Sequence, residues 1–214
     1  MVHQTVSPEG IPVRVAHRRN PYQYLVDDAE FEALLARLAL RRAESVRRNH
    51  EISPDRAPRG TYPRPDMAFV LMDATSGPWA PNEDAVLAAV TLGERGQDFL
   101  PYAAAKAAGH RRLGHNWGTA VLTAPHLCGT GGFRYGHSAD VRGQIVGASG
   151  QSPDQDLYEA AALAADFVQA LAELHLAWEE RTGPGEWFTR ADGPSREIDS
   201  MTGWFEGGAE PVGR

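Results

Sequence analysis

The stretch Gly143–Ala161, GQIVGASGQSPDQDLYEAA, joins two unlike halves across a very short turn. Gln144-Ile145-Val146-Gly147-Ala148-Ser149 reads as a strand. It carries glycine at its centre, where glycine weakens a strand and marks a bulge or the close approach of another group to the backbone. A long helix opens almost at once. Ser152 is its N-cap, Pro153 its first residue and Gln155 its third, a capping box with proline where a missing N–H does no harm. Leu157, Ala160, Ala161, Ala164, Phe167, Val168, Leu171 and Leu174 then recur at three- and four-residue steps toward Trp178, until Gly183-Pro184 ends the helix. A strand feeding directly into an amphipathic helix predicts a sheet layer under a helix layer.

Upstream, Met67–Met72 (MAFVLM) is a continuous apolar run, the mark of a central strand. Val86–Leu92 is a second strand stopped by Gly93, although its alanines leave a short helix open. Asp73–Glu83, with Gly77, Pro78 and Pro81, is a turn region, and Asp73 is a turn-former or an acid in a site. Phe133–Ser138 and Gln144–Ser149 form a hairpin around Asp140-Val141-Arg142-Gly143. Residues 114–132 are irregular, with Ala120-Val121-Leu122 a possible short strand. A helix starts at Asp27, with Glu30 three residues on and Phe31, Leu34, Leu35 and Leu38 on one face. Leu100–Leu113 is an alanine-rich helix with Pro101 in its first turn. Four prolines make residues 51–66 a loop. Residues 1–26 read as an irregular arm docked through Tyr22, Tyr24 and Leu25, residues 27–182 as the domain, and residues 183–214 as a tail. Short connections between strands imply antiparallel pairing, so the fold class is α+β.

The chain has 214 residues, 42% of them hydrophobic, enough for one good core. With 28 acidic against 21 basic side chains, it lacks the electrostatic footprint of a nucleic-acid binder. No run approaches the length of a bilayer span, the N-terminus has no apolar leader core, and the single cysteine, Cys128, excludes an internal disulfide. The expectation is a cytoplasmic protein without membrane or nucleic-acid partners.

Chemistry concentrates in two places. Of the 21 basic side chains one, Lys106, is lysine. Tyr102, Lys106 and His110 stand four residues apart on the alanine-rich helix, a stripe that suits acid–base catalysis if the lysine is depressed by a neighbouring imidazolium. On that view Lys106→Arg weakens ligand binding roughly ten- to a hundred-fold, with little change in stability because the two residues have similar helix propensities. The alternative is an ordinary solvated face. Four of the eight histidines, His110, His115, His126 and His137, fall in one span that also holds Cys128. His126 and Cys128 would share a face of an extended segment, as iron or zinc ligands do; a packed loop is the plainer alternative. Gly129-Thr130-Gly131-Gly132 offers backbone amides to an anion.

The segment GTGGFRYGHSADVRGQIVGASGQSPDQDLYEAAAL resembles the last third of the GlcG/HbpS-like family, which includes the C-terminal domain of PduO. Gly131-Gly132, Gly143, Gly147, Ala148, Gly150, Ser152, Pro153, Gln155 and Asp156 take the family positions. VLMDATSG, Val70–Gly77, resembles its first strand and turn. AAAKAAGHRRLG, Ala103–Gly114, resembles its helix, with Lys106 on the family lysine. The similarity spans residues 28–175. The exit turn is shorter than the family's, Gly109 replaces a threonine, residues 78–85 look inserted, and both termini are longer. The resemblance implies a profilin-like α/β/α sandwich of about five antiparallel strands, homodimers or larger rings, and haem or another tetrapyrrole as ligand, with redox or haem-degrading activity in some members. His126, Cys128, His137, Gly131, Gly132 and Arg134 are the candidate cofactor-binding residues. Tyr102, Lys106 and His110 are the candidate catalytic ones, for an enzyme acting on a small anionic metabolite. A ligand-free structural or regulatory oligomer is the third expectation. Gly147 would then mark the point where a helix packs close to the strand.

Overall fold

The structure is a computed structural model that describes residues 2–127, 136–183 and 203. In chain order the elements are β1 (His3–Val6), β2 (Pro12–His17), α1 (Asp28–Glu51), β3 (Met67–Met72), β4 (Val86–Leu92), α2 (Gly96–Leu113), α3 (Trp117–Thr123), β5 (Ser138–Val141), β6 (Gln144–Ser149) and α4 (Pro153–Thr182). Single 3-10 turns occupy Pro54–Arg56 and Pro125–Leu127. The six strands form one sheet in the order β1-β2-β4-β3-β6-β5, with every neighbouring pair antiparallel. The fold is the expected α+β sandwich, with six strands in place of about five.

β3 is buried along its whole length because both faces of the sheet are covered. Met67, Phe69 and Leu71 enter a core shared with Phe31 and Leu35 of α1 and Leu163 and Phe167 of α4. Ala68, Val70 and Met72 enter a second core under Ala103 and Ala107 of α2. The alternation of side chains along a strand sends successive residues into different cores. The result is three layers: α1 and α4, the sheet, and α2.

Gly147 has a physical explanation here. It lies in an unbroken ladder, opposite Val70 on one side and Ser138 on the other. A Cβ at Gly147 would sit 2.1 Å from the Ala103 carbonyl oxygen and 2.7 Å from the Ala107 nitrogen, both backbone of α2. Glycine lets the helix rest directly on the strand. The hairpin between β5 and β6 turns through Arg142 and Gly143, both at positive φ (52° and 84°), the combination that suits the right-handed twist of a two-residue hairpin.

The helix signals read from sequence are present. Asp27 caps α1 by accepting from the Glu30 N–H (2.8 Å), and the Glu30 carboxylate accepts from the Asp27 N–H (3.1 Å). At α4 the Ser152 N–H donates to the Gln155 side chain (3.1 Å), the returning half of the capping box.

Other expectations change. The N-terminal 26 residues supply two strands instead of an irregular arm: Val13 and Val15 point into the core while Arg14 between them points out, a period-2 pattern six residues long. α2 begins at Gly96, four residues before the expected start, so Pro101 lies inside the helix. Ala120–Leu122 is helical, in α3, because Asn116 caps that segment by accepting from the Thr119 N–H (3.0 Å). β5 begins at Ser138, where the predicted strand ended; residues 133–135 lie outside the described residues. By length and composition alone α4 is long and apolar enough to cross a membrane, a test that the core helix of a folded domain also passes. Its first half is a layer of this domain, with Gln155, Asp156, Glu159, Leu163 and Phe167 buried.

The chain divides into two units, Met1–Leu174 and His175–Arg214. In the second, His175 stacks on Trp178 with ring centroids 5.6 Å apart, and Gly183 at φ 82° closes the helix by donating to the Glu179 carbonyl. The remainder of the proposed tail lies outside the described residues.

Candidate functional site

α2 presents Ala103, Lys106, Ala107, His110 and Leu113 to the interior, a stripe with steps of three and four. Lys106 is therefore sealed in. Its Nζ donates to the Asp156 carboxylate at the start of α4 (2.6 Å) and to the Ala148 carbonyl of β6 (2.8 Å). Asp156 also accepts from the Gln151 N–H (2.8 Å). Burial pushes the Asp156 carboxyl above the ordinary aspartate range; the charge and hydrogen bond of Lys106, the Gln151 amide and Arg64 oppose the rise. Lys106 thus ties α2, β6 and α4 together where the strand turns into the helix. Tyr102 is exposed and stands apart from the other two. Each four-residue step drifts about 40° around a helix of 3.6 residues per turn, so eight residues carry Tyr102 off the buried stripe.

His110 occupies the last turn of α2, which ends at Gly114 in the left-handed conformation, its N–H donating to the His110 carbonyl. Two turns of helix beyond Ala103, the stripe reaches the edge strand β5. There His110 Nδ1 lies 2.7 Å from Ser138 Oγ, and Nε2 lies 4.0 Å from Asp140 Oδ2. Ser138 and Asp140 are two apart on β5 and share a face. The other oxygen of Asp140 accepts from the Gly143 N–H of the hairpin turn (2.8 Å), which fixes the carboxylate. Burial lowers the pKa of His110 below the ordinary histidine value; Asp140 pulls it up and His115 adds to the lowering. That shift favours the neutral imidazole.

These three side chains line an open cavity of about 490 Å³ along the β5 edge of the sheet. The end of α2 contributes His110, Gly114 and His115, α3 and its cap contribute Asn116 and Thr119, and α4 contributes Leu157 and Ala161. The volume falls within the span of small-molecule sites. His115 is exposed at this groove.

The histidine-rich span divides. His110 and His115 line the groove. His137 is half-buried against α3, where a Cβ on Gly118 would meet its ring at 2.9 Å. His126 is exposed on the 3-10 turn Pro125–Leu127, a tighter backbone than the extended segment that would align it with Cys128. Cys128, Gly131, Gly132 and Arg134, with the rest of the glycine cradle, lie outside the described residues. Among the described residues no three His, Cys, Asp or Glu side chains gather as a metal site. Asp73 forms a turn: its carboxylate accepts from the Thr75 N–H (2.7 Å) and hydroxyl (2.6 Å) and pairs with Arg19.

Sequence reasoning missed Ser138 and Asp140 as partners of His110, since nothing local marks a contact across 28 residues. It also missed a second buried polar cluster. Glu159 of α4 accepts from Ser45 Oγ (2.8 Å), Tyr62 OH (2.9 Å) and Arg42 (3.2 Å), and Arg42 also reaches Asp166 (3.3 Å). Burial, then Glu159, pushes the Tyr62 phenol well above its ordinary value. Ser45, Tyr62 and Arg42 all donate to Glu159, so this cluster joins α4 to α1. No protein-family model, no curated protein and no solved structure matches the chain.

Proposed function

We propose that the protein is a cytoplasmic small-molecule-binding enzyme whose ligand occupies the groove at the β5 edge, with His110 as the group that moves protons. The observation that carries this reading is a buried imidazole on the wall of an open cavity, hydrogen-bonded to Ser138 and facing Asp140. A histidine titrates close enough to neutrality to serve as either acid or base, and its orientation is set by what each ring nitrogen meets. Asp140 stabilises the imidazolium formed when His110 accepts a proton, and Ser138 holds the ring in place. Lys106 takes no part in the chemistry, because Asp156 and Ala148 occupy its ammonium. The test is ligand-observed NMR against a library of small polar metabolites, in wild type and in Thr119→Trp, which fills the groove from an exposed position. Ligands of the site bind wild type and are lost in Thr119→Trp, and turnover of any that react is lost in His110→Gln. Ligands that bind both proteins alike, or turnover that survives in His110→Gln, end this reading.

A second reading has its own observation. His115 presents an exposed imidazole at the same groove, and the resemblance to the GlcG/HbpS-like family points to haem or another tetrapyrrole. Imidazole is a common axial ligand of haem iron. Haemin titrated into the protein then gives a Soret band that moves in His115→Ala. Absence of a protein-bound Soret band removes this reading and leaves the first untouched.

A further inference from the structure

The charge lining the groove bears on the class of ligand. An anionic ligand was expected from Lys106 and the Gly129–Gly132 amides; the lysine is taken by Asp156, and the glycines lie outside the described residues. Among the described residues that line the groove, Asp140 carries the only formal charge, and it is negative. The groove also meets the C-terminal end of α2, at His110, Gly114 and His115. That end is the negative pole of the helix and favours a cation. The opposite wall is hydrocarbon: Leu157 and Ala161 of α4.

We infer that the groove takes a small primary amine as its ammonium ion, with the charge against Asp140 and the hydrocarbon part against Leu157 and Ala161. The inference rests on the reading of the groove as a ligand site. Asp140 is suited to the task because the hairpin turn holds one oxygen and leaves the other facing His110. An ammonium donates three hydrogen bonds and accepts none, so it fits a carboxylate with acceptors around it. The lowered pKa of His110 keeps a second positive charge from competing there.

Three probes of one shape separate the possibilities: benzylamine, benzyl alcohol and benzoate, titrated calorimetrically at about pH 8, where ordinary histidines are neutral. Benzylamine is expected to bind at least about ten-fold more tightly than benzyl alcohol, the usual advantage of a hydrogen bond to a charged group. Benzoate is expected to bind more weakly than either. Asp140→Asn removes the charge while its amide oxygen still accepts from Gly143, so the hairpin survives; the ten-fold preference is expected to vanish. Thr119→Trp is expected to abolish binding of all three. If benzyl alcohol or benzoate binds as tightly as benzylamine and Thr119→Trp blocks it, the amine inference is overturned and the ligand site stands. If Asp140→Asn keeps the preference, the amine inference is likewise overturned. Probes that none bind, or that bind Thr119→Trp unchanged, overturn both.

Discussion

Replacing Lys106 with methionine removes one half of a buried ion pair and leaves the other half in place. The side chains of Lys106 and Asp156 are 1% and 3% exposed, so neither can turn to water. In Lys106→Met the Asp156 carboxylate keeps one partner, the Gln151 N–H, and the Ala148 carbonyl loses its side-chain donor. Breaking a buried pair from one side destabilises by about 3–5 kcal/mol. For a chain of this size each kcal/mol shifts the melting temperature by about 2–4 °C, so the fall is roughly 6–20 °C. Lys106→Arg is expected to fall similarly, because a planar guanidinium does not fit a space closed around an ammonium. The double variant Lys106→Met/Asp156→Asn removes both charges and keeps an oxygen for Gln151. It should recover most of the loss, since replacing the whole of a buried pair by neutral groups is often close to neutral. Urea unfolding of wild type, both single variants and the double variant closes the cycle, and a coupling of several kcal/mol is expected. A Lys106→Met protein within about 1 kcal/mol of wild type, or a double variant no more stable than either single one, would refute the reasoning. The sequence alone had suggested weakened ligand binding with little change in stability for Lys106→Arg; the melting curve separates the two.

Gly147→Ala forces α2 off the sheet, because the new methyl meets helix backbone at 2.1 Å and 2.7 Å and not a flexible side chain. A loss of about 1–3 kcal/mol or more is expected in urea unfolding, and a variant as stable as wild type would show that the helix does not rest there. His110 makes stability depend on pH: the unfolded ring titrates near 6.5 while burial lowers the folded value. Below about pH 6.5 the unfolded chain gains a proton that the fold refuses, so stability present above that pH is lost as pH falls. The Tm advantage of wild type over His110→Gln should shrink between about pH 8 and pH 5.5; an advantage independent of pH would contradict the lowered value. The chain is also expected to self-associate, and light scattering should give at least twice the 23.3 kDa chain mass at micromolar concentration; the monomer mass would end that expectation.

What the sequence determined by itself is local. The capping residues of α1 and α4, the continuous apolar run of β3, a hairpin turn within Asp140–Gly143 and the glycine in β6 are all written within a few neighbouring residues. Each acts through backbone conformation or short-range hydrogen bonds. Those signals were enough for the α+β sandwich; at Gly147 they left a packed helix or a ligand open, and the helix came from the family resemblance. They fell short at the N-terminus, where strands of four and six residues carry too few periods to stand out from a loop. The site was decided elsewhere. Lys106 and His110 were visible as unusual residues on one helix. Whether each faces water, a carboxylate or a cavity depends on partners 50 residues away at Asp156 and 28 away at Ser138. Spacing along α2 could say that the two side chains lie near each other. Only the packing of α2 across β6 toward β5 sent one into an ion pair and the other to the wall of the groove, because burial and pairing are properties of the assembled layers and not of any one of them.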